Sequence, residues 1–446
     1  MPYRQRGSRV PDTEPPRATH TRIFRHVSQV YLSQVVALLA QLVYTALVSR
    51  MVTPADFGAY AVSLGVMALA TLLASAGLVN AVSRRLSNDA TGDRAIVTAA
   101  LVVGMGVGVF FFLSAQFWAG LWGNGAASNL IRILAVSQVL TGYSGALTGI
   151  YRRLGRMGMW SAMSVLSNIA GLLVGIVSVA AFKEAWCLAV APVVAAVTLG
   201  GSLARGLGWR AMPTRHLRGL RTDLAYGLKS LGGSLISYVA GFVPTLVMSR
   251  TLGPLVLGAW NRATTITAVP IEQAMTSFTS VLFPAFRTHR PGDHSRRRWT
   301  LMCAAIALLV LPPAATLLPV MPRLTIDLLG PQWGLASEMA PWLLVASAIG
   351  TLRTALAMAL EATATFGAVY RSQLVLLASM LLSALAVALS RQWLALALGV
   401  VVAQVLAHGA QAVSAARSDL IEPRVLSKWY LVALTASFAG FLLAAA

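Results

Sequence analysis

Long apolar runs separated by short polar, often basic, stretches set the pattern of this chain. Runs near 27–49, 57–82, 95–119, 130–151, 157–182, 185–204, 226–248, 256–283, 299–320, 338–360, 367–390 and 392–414 recur along it. Each approaches or exceeds the roughly 20 residues that cross a hydrocarbon core of about 30 Å as a helix. In lipid every backbone polar group must be satisfied internally, so such runs are helices. Short alternating segments of the kind that build a membrane barrel are absent. The pattern predicts an all-α polytopic membrane protein with about 12 transmembrane helices. A further apolar run at 429–446 is read either as a thirteenth span or as the first member of a helix pair.

The connecting loops alternate in charge. One side carries an Arg- and Pro-rich arm at 1–26, then Arg84/Arg85/Arg94, Arg152/Arg153/Arg156, and Arg205 to Arg221. It continues with Arg287 to Arg298, Arg371, and Arg417/Arg424/Lys428. The other side has Arg50, Lys183, Arg250, Arg323 and Arg391. Positive-inside bias places the N-terminus in the cytoplasm. The strict alternation also checks the helix count, because one missed helix would scramble it.

A repeat divides the chain in two. Residues 49–60, SRMVTPADFGAY, align without a gap on residues 249–260, SRTLGPLVLGAW. Both copies join one apolar run to the next, so two pseudo-symmetric six-helix bundles are expected, with a cargo site between them. The division is a disordered basic arm at 1–26, bundles at 27–204 and 226–415, a linker at 205–225, and a C-terminal loop and extra helix at 416–446. In the linker Leu217, Leu220 and Leu224 fall at helical spacing among Arg215, Arg218 and Arg221. That reads as an amphipathic helix on the cytoplasmic leaflet, or as a solvated basic connection.

Composition sharpens this picture. Of 446 residues 57% are hydrophobic and 11% charged; a soluble chain carries about 25% charged residues. The net charge of +21 would suggest nucleic acid in a soluble protein, but here it lies in short loops and is explained by topology. Cys187 and Cys303 both fall in apolar runs, which excludes a disulfide framework or zinc site. There is no Gly-Lys dipeptide, hence no Walker A loop, and no HExxH, CxxC or GxSxG. No cofactor is expected. The outward loops are short and poor in acidic groups and histidine, which disfavours a glycosyltransferase without removing it as the runner-up class.

Candidate chemistry rests on ionisable groups inside the apolar runs, each costing about 2.5–3.5 kcal/mol at mid-helix and marking function by default. Arg262 lies about two turns into 256–283. Gln273 returns to its face, Glu272 projects to another, and Pro270 between them is expected to open the helix. Arg353 lies about 16 Å along its helix from Trp342, and Glu361 closes that helix. Arg132 begins the run at 130–151, close to the outer surface. Arg262, Arg353 and Arg132 form a candidate cationic site for phosphate or pyrophosphate, which the planar guanidinium fork fits. The alternatives are internal ion pairs for Arg262 and Glu272, a pair with Glu361 or backbone carbonyls for Arg353, and simple snorkelling for Arg132. Glu272 and Glu361 are the candidates for coupling to a proton or sodium gradient. Gln34, Gln41 and Tyr44 share one broad face that suits either sugar hydroxyls or interhelical hydrogen bonds, and Gln273 is a further sugar-contacting candidate. Gln404, His408 and Gln411 form a further polar stripe, with His408 read as a packing partner. Gly104-xxx-Gly108 and Gly171-xxx-Gly175 mark close helix packing, and Pro312-Pro313 is expected to break its helix.

Residues 50–86, from RMVTPADFGAYA through Gly77-Leu78 to Arg84-Arg85-Leu86, resemble the first hairpin of the polysaccharide transporter family. These are Wzx-type O-antigen and exopolysaccharide flippases of the multidrug/oligosaccharidyl-lipid/polysaccharide superfamily. Leu252-Gly253, Gly258-Ala259-Trp260, Val281-Leu282-Phe283-Pro284-Ala285 and Leu329-Gly330-Pro331-Gln332-Trp333 extend the resemblance over most of the chain. It implies two six-helix bundles around a cavity, often with two additional helices. It also implies a polyprenyl-pyrophosphate oligosaccharide as cargo, with a polysaccharide polymerase and other assembly proteins as neighbours. A lipid II flippase and a multidrug/cation antiporter share the fold, although the Arg excess disfavours cationic drugs. A membrane scaffold or glycosyltransferase of a glycan assembly complex is the reading from another class.

Overall fold

A computed structural model describes residues 18–75, 82, 89–215, 220–287, 293–362 and 366–445. Among them there is no strand. The first half holds α1 (Ala18–Ser49), α2 (Pro54–Ser75), α3 (Ala90–Leu113), the short α4 (Ala115–Leu121), α5 (Ala127–Arg153), α6 (Met157–Phe182) and α7 (Val190–Leu207). The second half holds α8 (Leu220–Leu252), α9 (Pro254–Arg287), α10 (Asp293–Leu317), the short α11 (Met321–Leu329), α12 (Gly334–Ala362), α13 (Phe366–Ser390) and α14 (Trp393–Arg417). A last helix, α15 (Pro423–Ala445), follows.

Among the described residues, eleven helices are long and apolar enough to cross a membrane, α15 included. Their outward faces carry Val102, Met105, Val109 and Phe110 on α3 and Leu382, Leu385 and Leu389 on α13, all exposed. That surface suits a solvent of lipid tails rather than water.

The second half repeats the neighbour map of the first. α6 packs on α7 as α13 packs on α14, α1 on α6 as α8 on α13, and α2 on α5 as α9 on α12. Glycines set the closest of these approaches. A Cβ on Gly104 would lie 2.9 Å from the Gln138 carbonyl oxygen, and one on Gly108 2.8 Å from that of Ala135. Gly171 and Gly175 press in the same way on Ala191. The two small-residue motifs do bring α3 onto α5 and α6 onto α7.

Several local expectations are corrected. α1 starts at Ala18, inside the stretch expected to be a disordered arm. Its 32 residues reach about 48 Å, longer than the bilayer core. The expected linker helix falls partly outside the described residues, among which 208–211 form one short 3-10 turn after α7. Leu220 already begins α8, which runs unbroken for 33 residues, while 216–219 lie outside the described residues. Just before them, Arg94 of α3 donates to the Met212 and Pro213 carbonyls at 3.1 and 3.0 Å, tying the linker's start to the first half. α9 stays helical past Pro270, and α10 runs through Pro312-Pro313 to Leu317. In lipid, a helix that loses one hydrogen bond to proline still has no better conformation available, and neighbouring helices hold it.

α15 packs along α10, and the loop before it is anchored there. Arg296 pairs with Asp419 at 2.7 Å, and the Glu422 N–H donates to Thr300 Oγ1 at 2.9 Å. In the first half Asp93, wholly buried, accepts two short hydrogen bonds from Arg153 at 2.6 and 2.7 Å, with Arg210 3.9 Å away.

Candidate functional site

The halves meet through α1 and α2 on one side and α8 and α9 on the other, and the repeated residues make the junction. Gly58 of α2 and Gly258 of α9 lie against each other's helices: a Cβ on Gly58 would overlap the Pro254 carbonyl, and one on Gly258 that of Pro54. Only glycine permits so close a crossing.

Around this crossing each half grips the other in the same way. Ser249 donates to the Trp122 carbonyl at 2.9 Å, and Arg250 Nε donates to the Leu121 carbonyl at 2.7 Å, at the end of α4. In return Trp333 Nε1 donates to the Ser49 carbonyl at 2.8 Å, and Arg50 donates to the Asp327 carbonyl in α11. Arginine is the natural partner of these carbonyls, because the C-terminal turn of a helix carries partial negative charge. Trp122 stacks edge-on against Phe242 at 5.0 Å, and Trp333 against Phe57 at 5.4 Å. Further along the membrane, Tyr238 of α8 donates to the Gly65 carbonyl of α2 at 3.0 Å.

A cavity of about 630 Å³ opens between α8, α9, α12, α13 and α14. Its described walls belong entirely to the second half, not to both. Arg353 and Glu272 line it, with Thr245, Thr264, Ser347, Thr351, Thr354 and Gln404. Arg353 Nε donates to Gln404 Oε1 at 2.9 Å, which fixes the plane of the guanidinium and leaves its terminal nitrogens without a hydrogen bond among the described residues. The hydroxyls on the wall are committed as donors. Thr264, Ser347, Thr351 and Thr354 each donate to the carbonyl one turn earlier, at 2.7 to 3.0 Å. Their oxygens remain as acceptors. The cavity therefore offers one oriented cationic donor among a set of acceptors, a pairing suited to an anion that bears hydroxyl groups.

A second cavity, of about 470 Å³, adjoins it and shares Met275 and Thr351. Leu42 of α1 reaches it from the first half; Ile266 and Pro270 of α9, Leu309 and Val310 of α10, and Leu324 of α11 complete a largely apolar lining.

The other candidates are dispersed. Arg262 does not line either cavity. It is 4% exposed and its guanidinium lies 4.2 Å from the centre of the Phe57 ring. Tyr44 and Tyr60 are near enough to interact with it electrostatically. Tyr44 is buried against Gly175, and Gln34 and Gln41 are half-buried on α1 outside both cavities. Arg132 is half-buried near Asn129, 3.5 Å away. The side chains of Gln273 and Glu361 lie outside the described residues. His408 contacts Tyr430 of α15 at 3.1 Å, a packing role, and Gln411 donates to Ser372 at 2.9 Å. The partner of Arg353, Gln404, was visible in sequence only as part of a polar stripe.

The sequence profile of polysaccharide biosynthesis proteins matches residues 47–338. The chain belongs to that family. Relatives within reach of the family include the succinoglycan biosynthesis transport protein ExoT of Rhizobium meliloti (strain 1021), 25% identical over 322 residues, covering 70% of this chain and 64% of ExoT. The lipopolysaccharide biosynthesis protein WzxC of Escherichia coli (strain K12) is 23% identical over 333 residues, covering 72% of this chain and 66% of WzxC. Each match spans just under two thirds of the relative's own length. Among solved structures, the lipid II flippase MurJ in an inward closed conformation superposes with a TM-score of 0.78 at 11% identity, over 94% of this chain and 93% of MurJ. An inward-facing multidrug resistance MATE family transporter of the MOP superfamily gives 0.60 at 18% identity, over 92% and 98%. The family member described here thus shares its fold with these two structures, as the motifs around Arg50 and Gly258 implied.

Proposed function

We propose that this protein is an inner-membrane flippase that carries polyprenyl-pyrophosphate-linked oligosaccharide from the cytoplasmic to the periplasmic leaflet by alternating access, for O-antigen, capsule or exopolysaccharide synthesis. The observation that carries this reading is Arg353, held by Gln404 in a hydroxyl-lined cavity beside an apolar one. Arg353 receives the pyrophosphate, the Thr and Ser oxygens accept hydrogen bonds from sugar hydroxyls, and the apolar cavity takes the first part of the prenyl chain. Arg keeps its charge when partly desolvated, which a lysine in that place would not do reliably. The family membership and the transport roles printed for ExoT support the same reading.

The N-terminus is placed in the cytoplasm by loop charge, which puts the Ser49–Arg50 and Ser249–Arg250 junction on the periplasmic side. The junction is joined in this conformation, so this state is closed outward. Glu272, on the cavity wall, and Glu361 are the carboxylates proposed to couple transport to a proton or sodium gradient. Full transport with unchanged pH dependence in both Glu→Ala variants would remove that part.

The test is transbilayer movement of a labelled polyprenyl-pyrophosphate oligosaccharide in proteoliposomes. Movement with the wild type and its loss with Arg353→Ala is the expected result. Well-folded wild type that moves none of it would overturn the reading in favour of another cargo or a scaffold.

A further inference from the structure

The cavity that holds Arg353 also has an aromatic wall. Trp260 lines it from α9, two residues after Gly258. Among the described residues its ring pairs with no other aromatic and its indole N–H makes no hydrogen bond. A tryptophan only 8% exposed ordinarily has a partner for that N–H. The repeat supplies a contrast. Tyr60 stands at the matching place in the first half, and its ring is taken up edge-on by Phe57 at 6.5 Å. The ring of Trp260 is left to the cavity. Both α9 and α12 begin at the joined end of the halves. Trp260 lies in the second turn of α9 and Arg353 in the sixth turn of α12, so several turns of about 5.4 Å separate ring from cation along the cavity. Ser347 and Thr351 lie between, with their oxygens as acceptors.

We infer that Trp260 is the sugar platform of this cavity: a pyranose of the cargo stacks on the indole while Arg353 holds the pyrophosphate. The inference rests on the flippase reading and adds to it a residue that sets cargo specificity. A pyranose whose ring C–H bonds share one face presents an apolar patch there and hydroxyls around its rim. The indole offers the matching apolar face, with its N–H as a donor for a sugar oxygen. Acceptors stand nearby on the same walls. Thr264, one turn on from Trp260, donates to the Trp260 carbonyl at 2.8 Å, and Thr245 of α8 donates to the Gly241 carbonyl at 2.9 Å, so both oxygens remain for sugar hydroxyls. The α8 wall leaves room for the ring: a Cβ on Gly241 would meet nothing within 4 Å. A sugar with an axial or acyl substituent on its stacking face is held off the indole and loses the contact.

The test is equilibrium binding of two labelled lipids to the purified full chain in detergent. One is a polyprenyl pyrophosphate without sugar; the other is the same lipid carrying cellobiose, whose glucose rings have no axial hydroxyl on the stacking face. The wild type should bind the cellobiose lipid about tenfold more tightly, the worth of one aromatic contact. Trp260→Leu should bring the ratio of the two affinities to about one. Trp260→Tyr, which puts the ring of Tyr60 at this place, should recover most of it. If Trp260→Leu fails to fold, Gly241→Leu decides the matter, because it fills the cavity from α8 without removing a side chain and should also abolish the ratio. Arg353→Gln should weaken both lipids by a similar factor. A wild type that binds both lipids equally, or a preference that survives Trp260→Leu or Gly241→Leu, would overturn the platform and leave the flippase reading standing. A wild type that binds neither lipid would overturn the flippase reading and the platform with it.

Discussion

Single side chains decide how this cavity treats an anion. Arg353 is useful because Gln404 orients it; without that bond the long side chain regains its rotamers and the fork is no longer held. Gln404→Leu should weaken binding of a pyrophosphate lipid roughly tenfold, about the worth of one hydrogen bond to a charged group, measured by equilibrium binding in detergent. Asp93 poses the opposite case, a charge buried for structure. Asp93→Asn leaves Arg153 buried without its anion and should lower stability by about 3–5 kcal/mol, seen as a fall in thermal unfolding temperature. The double change Asp93→Leu/Arg153→Met should recover much of that loss. At this scale sequence showed which residues were costly to bury, but not what they touch. Arg353 and Gln404 lie 51 positions apart, and the stacking of Arg262 on Phe57 joins two halves of the chain, so neither follows from local periodicity.

Helices were more legible, because apolar length in lipid leaves few alternatives. The span at 157–182 matches α6 residue for residue, and Gly104, Gly108, Gly171 and Gly175 mark real contacts. The differences at the prolines share one cause. Pro270, Pro312 and Pro313 were given the weight they carry in water, where a chain that leaves the helix can bond to solvent; in lipid it cannot. The starts of α1 at Ala18 and of α8 at Leu220 arise where apolar pattern fades and no rule of hydropathy fixes an end. The crossing of α2 and α9 yields its own prediction. Gly258→Val places a branched side chain into the Pro54 carbonyl and should drive the helices apart, abolishing a disulfide engineered between the two halves at that end while leaving each bundle's helicity unchanged by circular dichroism.

At the scale of the molecule, the repeat of 49–60 at 249–260 proved the most informative stretch, since it supplies both the close crossing of the halves and its hydrogen-bonded grips. What the repeat could not show was where the cavity lies: a site between halves was expected, and the described walls all belong to the second. Orientation makes a further prediction. Arg250→Cys should react with a membrane-impermeant maleimide added to intact spheroplasts, whereas Arg156→Cys should react only after lysis. The reverse result would invert the topology.

The reciprocal grips around Trp122 and Trp333 also bear on how the protein is made. Trp122 has its socket in Phe242 and Ser249, and the hydrogen bond from Ser249 spans 127 positions of chain. At ribosomal rates of roughly 5–20 residues per second, that stretch takes on the order of ten seconds to emerge. Only 42 of those positions follow Leu207, the end of α7, so for the last few seconds of that interval the first bundle's helices are all made while its joint is unfilled. A first half synthesised alone should therefore insert but remain a target for quality-control proteolysis, and a second half supplied as a separate polypeptide should rescue it.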